Sequence, residues 1–534
     1  MEKILFLDDT NKPVFPETGQ EQALAESEVL RLYGRNRQEM RKSRWYPKYH
    51  YVSPVGFLHD PNGLCFWKGL WHLFYQHTYT DTAAIGVPEG RSVCWGHVVS
   101  EDLIHWRDLP DAIYPNPEQA CWSGATLVGE DRVIAAYYGL NTGIMVAVSH
   151  DPLLLNWEKV GHNRVAIPHK NEDGTEAPCP VFDPCLFRRG EFYYLLSSPR
   201  EYDPLRKRPH RQQFLFRSKD LIHWEYRHPF IENDVVGAKD DDGACPYFMD
   251  IGTGEDKKQL VVHFSHLDGA KFMLGHYDEQ REKFCVMSGE KFSSGHWMPG
   301  GLHAPSAYPD GKGGAVVLFN MNNSAEGSDP IMSLPQQMHL SGSVMDEIDL
   351  DVVESVYSLR GAHTQVPPRK LPAGELWIPE QLHGDCIELH LRAQVPYQRA
   401  LELYVLRAPD EEEYVKITVF RNCGIVNQDL CDVYKVFDYS QNTVVTVDST
   451  HASRASHTAV RPPEICEVPL WKEDPVELDV FLDRGMLEVF INKKRSILQR
   501  VFPEREDSVG IALRAVGGDT ELLCLEQWEM DSIE

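Results

Sequence analysis

The chain has 534 residues, too many for one ordinary core, so two domains are expected. With 42% hydrophobic and 25% charged residues the composition is that of a globular protein, and no run of about 18 apolar residues suggests a membrane-spanning helix. A formal net charge of −27 argues against a polyanionic partner such as nucleic acid and suits a neutral substrate.

The amino terminus, MEKILFLDDTNKPVF, is interrupted by Asp8 and Asp9 and does not read as a signal peptide. The twelve cysteines are scattered and contain no C-x-x-C pair, so zinc and redox motifs are unsupported. Free thiols in a reducing compartment, and hence a cytoplasmic location, are the expectation. Residues 1–45 form an extension in which QEQALAESEVLRLYGRNRQEMRK predicts a helix with Leu24, Val29, Leu30 and Leu32 as its apolar content.

From residue 46 short aromatic and β-branched runs such as LWHLFYQ, VIAAYYG, EFYYLLSS and QLVVHFSH alternate with turn residues, the pattern of an all-β region. SEDLIHW, SHDPLLLNW and SKDLIHW each open with Ser, carry an Asp and close on Trp, at Trp106, Trp157 and Trp224. A period of about 40 to 50 residues with loop insertions fits propeller blades of four strands, and the region to residue 357 has room for about five. Residues 358–380, with four prolines, read as a linker. The segments from 381 to 534 alternate apolar and polar, and VELDVFLDRGMLEVFIN predicts a hairpin with Gly485 at its turn and one buried face. That region suits a β-sandwich. The fold expected is all-β, a five-bladed propeller followed by a sandwich, with a short helical extension.

Aspartate beside proline recurs in the first half. Asp60 lies in GFLHDPNGLCFWKGLWHLFYQ, before a PNG turn and an aromatic strand, and Asp183 lies in PVFDPCLFRRGEFYYLLSS. A carboxylate held at a turn among aromatic rings can grip hydroxyls while the rings stack on the faces of a sugar, yet Asp-Pro-Asn-Gly is also a good turn whatever its use. Histidines 59, 72, 77, 97 and 105 lack the spacing of a dedicated metal site, so no metal and no cofactor are expected.

FLHDPNG, LFYQ, CWGHVVSEDLIHW, CWSGATLV, FDPCLF, ACPYF, IMSLPQQMHL and DRGMLEVFIN resemble, in order and approximate spacing, the motifs of glycoside hydrolase family 32, the invertases and fructanases. The resemblance covers residues 45 to 530 and implies the same propeller and sandwich. It implies a retaining β-fructofuranosidase in which Asp60 is the nucleophile and Asp183 stabilises the transition state. His59, Gln76, Trp122, Ser123 and Phe182 form the substrate-binding set it implies, and a small fructoside, sucrose or a fructo-oligosaccharide, is the partner. No nucleic-acid or membrane partner is expected, and oligomeric state is not readable.

Three departures stand out. Phe182 occupies the place of the family's arginine, Ile85 the place of a Trp-Gly step, and Ala244 the place of the acid/base glutamate. An alanine cannot transfer a proton, a contribution of about 10²- to 10⁴-fold. Ala244 is read in three ways. It is an engineered glutamate-to-alanine change that leaves an inactive variant; or Asp242 substitutes as the acid, awkwardly, from a position about 6.5 Å along the strand; or hydrolysis has been lost or is confined to leaving groups that depart unaided. A non-catalytic carbohydrate-binding protein, a fructosyltransferase and an arabinan-type propeller glycosidase are the alternatives.

Overall fold

The computed structural model describes residues 12–78, 93–170, 179–203, 208–211, 213–234, 236, 243–266, 269–295, 300–322, 330–342, 346–421, 442–456, 458–470 and 474–534. Five antiparallel sheets of four principal strands follow one another along the chain. Their first strands are Phe57–Trp67, Cys121–Val128, Pro184–Arg189, Ala244–Ile251 and Leu302–Pro309, and they define blades I to V. Each first strand packs against the first strands of the blades before and after it, and that of blade V packs against that of blade I. The ring is therefore closed, a five-bladed propeller. The carbonyl of Tyr51, ahead of blade I, accepts the amide of Met332 in blade V at 2.9 Å and fastens the closure.

The repeated Ser…Asp…Trp strings are the turns between the third and fourth strands of blades I to III. In blade I, Asp102 Oδ1 accepts the amides of Ile104 (3.1 Å) and His105 (2.9 Å), and Ser100 Oγ accepts that of Leu103 at 2.9 Å. Asp220 and Ser218 repeat the pattern in blade III. In blade II Asp151 takes the amides of Leu155 and Asn156. Side chains that satisfy the turn's own donors make the repeat local, which is why it shows in the sequence.

The sandwich spans Arg360–Met530. Residues 358–380, expected as a linker, instead supply short strands: Arg360–Val366 and Arg369–Leu371 pair with Thr520–Met530, and Leu376–Trp377 pairs with Gly510–Val516. These strands lie at sheet edges, and Pro367, Pro368, Pro372 and Pro379 fall between or just beyond them, where no ladder hydrogen bond is lost. The hairpin of Val476–Asp483 and Met486–Ile491 is present, but both of its faces are buried. Leu478, Val480, Leu482, Leu487, Val489 and Ile491 fill the sandwich core. Phe481 and Phe490 on the other face pack with Leu58, Leu73 and Val98 of blade I and Val316 and Leu318 of blade V. Alternation predicted a solvated face that the propeller in fact covers.

Asp483, at the end of this hairpin's first strand, reaches the segment leading into blade I. Its carboxylate accepts the amides of Lys48 (2.7 Å), Tyr49 (2.8 Å) and His50 (3.1 Å), and His50 Nδ1 at 2.8 Å. His50 Nε2 lies 3.2 Å from Glu488, whose carboxylate also takes the amide of Leu334 in blade V. The parallel pairing of Ser293 and Ser294 with Ser496 and Ile497 joins blade IV to the sandwich as one sheet. The predicted extension helix is two helices, Gln20–Ala25 and Glu28–Met40, the second capped by Ser27. Leu24 docks on Val99, Leu109, Leu153 and Leu155 of blades I and II.

Candidate active site

The stretch around Asp60 is not a turn between two elements. Phe57–Trp67 runs through it as one strand, with irregular register between Leu58 and Pro61 and again between Asn62 and Cys65. Blade II has such a bulge between Cys121 and Gly124, blade IV between Ala244 and Tyr247, and blade V between Leu302 and Pro305. Blade III begins at Pro184, directly after Asp183, whose φ of 34° is left-handed. Bulges re-aim side chains, and a proline, having no amide hydrogen, sits in one without loss. The ring thus turns Asp60, Trp122, Ser123, Asp183, Cys245 and His303 onto one central cavity of about 540 Å³.

Asp60 is mostly buried and heavily bonded. Ser123 Oγ donates to its Oδ2 at 2.5 Å and Gln76 Nε2 donates to the same oxygen at 3.1 Å. Gln76 also donates to Ser123 Oγ at 2.7 Å, which fixes the direction of the hydroxyl. His303 Nδ1 lies 3.0 Å from Oδ1. Burial by itself would raise the Asp60 pKa, but the His303 imidazole and the Ser123 hydroxyl outweigh it and hold it at about 2. The group is a carboxylate at any ordinary pH.

Asp183 is buried on the same cavity, and its Oδ2 accepts the amide of Cys245 at 3.1 Å and the thiol at 3.6 Å. Burial, then the charges of Asp183 and Asp60, push the Cys245 thiol well above its usual range, so it is no nucleophile. His59 also lines the cavity, and burial lowers its pKa despite the neighbouring Asp60. The Phe182 ring stands edge-on to Trp122 with centroids 6.0 Å apart and lies 4.7 Å from Tyr138. An aromatic wall, suited to stacking on a sugar ring, stands where the family's guanidinium was expected.

All of His59, Asp60, Gln76, Trp122, Ser123, Phe182, Asp183 and Ala244 line this cavity. Asp242 and Ile85 lie outside the described residues. Among the lining residues that escaped the sequence reading are two histidines, His266 and His303. His303 had a signal: His-Ala-Pro at 303–305 echoes His-Asp-Pro at 59–61 at the equivalent bulge of another blade. His266, in FSHLDG, had none.

Among the described residues His390, Glu477 and Asp479 bring possible metal-ligating atoms within 4.8 Å of one another. They lie on sandwich strands, and Lys493 already brings positive charge to both carboxylates.

Residues 50–352 match the glycosyl hydrolases family 32 N-terminal domain and residues 355–529 its C-terminal domain. A sucrose-6-phosphate hydrolase of Zymomonas mobilis is 24% identical over 91% of this chain and 93% of that protein. An insoluble β-fructofuranosidase of Arabidopsis thaliana is 25% identical, but the match takes in 62% of this chain and only 58% of that protein's length. Fructan 1-exohydrolase IIa from Cichorium intybus superimposes with a TM-score of 0.74 over 92% of this chain and 98% of its own, at 16% identity. Sucrose-6-phosphate hydrolase from Lactobacillus gasseri does so with a TM-score of 0.70 over 98% and 100%, at 19% identity. At those identities the likeness is one of fold. With both domains matched in sequence over nearly all of 50–529, the chain belongs to glycoside hydrolase family 32.

Proposed function

We propose that the protein hydrolyses β-fructofuranosides by a retaining, double-displacement reaction with Asp60 as nucleophile. The observation that carries this reading is the Asp60 carboxylate, kept ionised at the cavity floor by Ser123, Gln76 and His303 and facing the same space as Asp183. Asp60 forms a bond to the anomeric carbon as the glycosidic oxygen leaves, and water then displaces it. Asp183 grips sugar hydroxyls, and Trp122 with Phe182 supplies the stacking wall. Relatives named for sucrose-6-phosphate hydrolysis and β-fructofuranosidase activity agree with a fructoside, whose linkage and phosphorylation are not set by these contacts. Buried free thiols at Cys65, Cys94, Cys121 and Cys185 support a reducing compartment such as the cytoplasm.

Fructose release from sucrose, sucrose 6-phosphate and a fructo-oligosaccharide tests this, with Asp60→Asn as the control that abolishes it. No release from any fructoside would refute hydrolysis. Ala244, on the wall of the cavity, favours a second reading, sugar binding without turnover. That reading requires calorimetric binding of fructosides with no release, and still none after Ala244→Glu. A gain of about 10²- to 10⁴-fold from Ala244→Glu would mark 244 as the family's acid/base position.

A further inference from the structure

We propose that His266 donates and recovers the proton at the leaving oxygen, the task that Ala244 cannot perform. This rests on the fructosidase reading above. In blade IV the strands Ala244–Ile251 and Lys258–Ser265 are antiparallel, with Ala244 opposite Phe264. His266 lies just past the end of the strand Lys258–Ser265, two residues after Phe264. Ala244, Phe264 and His266 all line the central cavity. The His266 ring stands edge-on to Phe264, with centroids 5.1 Å apart, and to His303, with centroids 5.3 Å apart. His303 in turn lies 3.0 Å from the Asp60 carboxylate. One imidazole therefore separates His266 from the nucleophile, beside the place the family's glutamate would fill.

Among the described residues five other titratable groups line the cavity. Asp60 and His303 are bonded to each other, and Asp183 takes the Cys245 amide and thiol. His59 is driven toward its neutral form by burial, and burial with two nearby carboxylates keeps the Cys245 proton in place. An imidazole facing the cavity has a ring nitrogen able both to give and to take a proton in general acid–base catalysis. In the first step the His266 imidazolium gives its proton to the glycosidic oxygen as the bond from that oxygen to the anomeric carbon breaks and the bond to Asp60 forms. In the second, neutral His266 takes a proton from water as that water bonds to the anomeric carbon and Asp60 departs. Water has then been added across the glycosidic bond, and both side chains return to their starting states.

The test compares sucrose, whose alkoxide leaves poorly, with p-nitrophenyl β-fructofuranoside, whose phenolate leaves unaided. His266→Gln is expected to lower kcat/KM on sucrose by about 10²- to 10⁴-fold while sparing kcat/KM on the aryl substrate. The aryl kcat falls because the shared second step has lost its base, so that p-nitrophenolate appears in a burst. Ala244→Glu placed in the same chain should return sucrose turnover. Equal losses of kcat/KM on both substrates, or no loss on either, overturn the assignment. His266→Asn is the second variant, and circular dichroism checks the fold of each. Should both variants misfold, the parent decides: its kcat/KM across aryl β-fructofuranosides should depend only weakly on leaving-group acidity, as general-acid assistance requires, and a steep dependence overturns the assignment. A parent that releases fructose from neither substrate refutes the fructosidase reading itself and this assignment with it. That result is distinct from an active parent with an indifferent His266.

Discussion

Replacing Asp483 with alanine tests the junction between propeller and sandwich. The carboxylate accepts three backbone amides, those of Tyr49 and His50 buried and that of Lys48 partly so, and the ring of His50, at 2.7 to 3.1 Å. Each amide left without a partner costs about 1–3 kcal/mol, and breaking a buried ion pair costs about 3–5 kcal/mol. Because these losses share one group they do not add, and about 3–5 kcal/mol is expected. Asp483→Asn keeps one acceptor oxygen and should lose less, about 1–3 kcal/mol.

The same junction has a pH signature. Burial works against a charged His50, but Asp483 and Glu488 outweigh it and raise its pKa to about 9. A folded-state value above the unfolded one, about 6.5, means the stabilisation is complete below that unfolded value. It is lost as pH climbs through about 9, and is on the order of 3 kcal/mol. Urea unfolding followed by tryptophan fluorescence at several pH values measures both effects. Asp483→Ala should unfold at lower urea and lose less further stability between pH 7 and 9.5 than the parent does. A variant within about 1 kcal/mol of the parent at pH 6.5 would refute the clamp, and a parent with flat stability across that window would refute a charged His50.

Ser123→Ala removes the 2.5 Å donor to Asp60. A hydrogen bond to a charged group is worth about 1.5–3 kcal/mol, so the Asp60 pKa should climb by about one to two units, and the acid limb of the pH–rate profile should move up with it. An unmoved limb would show that the hydroxyl does not help ionise Asp60. Phe490→Ala empties a fully buried site whose ring stands edge-on to Phe481 with centroids 5.8 Å apart, on the propeller-facing side of the hairpin. Calorimetry should show a loss of about 3–5 kcal/mol, and a loss under about 1 kcal/mol would contradict the packing seen there.

The sequence made legible what is decided by neighbours in the chain. The Ser-x-Asp turns announce the blades because Asp102, Asp151 and Asp220 satisfy amides only a few residues away. Asp60 and Asp183 were visible because each precedes a proline at the head of an inner strand. Features set by distant partners were hidden. Arg360–Val366 is a strand only because Thr520–Met530 lies beside it, and Phe481 looks solvated until blades I and V cover it. His266 owes its place to the end of the strand Lys258–Ser265 and to a ring contributed by another blade. The local string around it carries no mark of that.

The pairing of Ser293 and Ser294 with Ser496 and Ile497 makes blade IV and half of the sandwich a single continuous ribbon of backbone hydrogen bonds. Cutting the chain after residue 357 would not free a self-sufficient catalytic head. It would strip Ser293 and Ser294, at the end of the outer strand Lys283–Ser294, of their partners and bare unpaired backbone groups that invite aggregation. Three strands further in along that ribbon lies the strand that carries Ala244. The carboxy-terminal half thus acts as a buttress whose removal would be felt at the wall of the catalytic hollow.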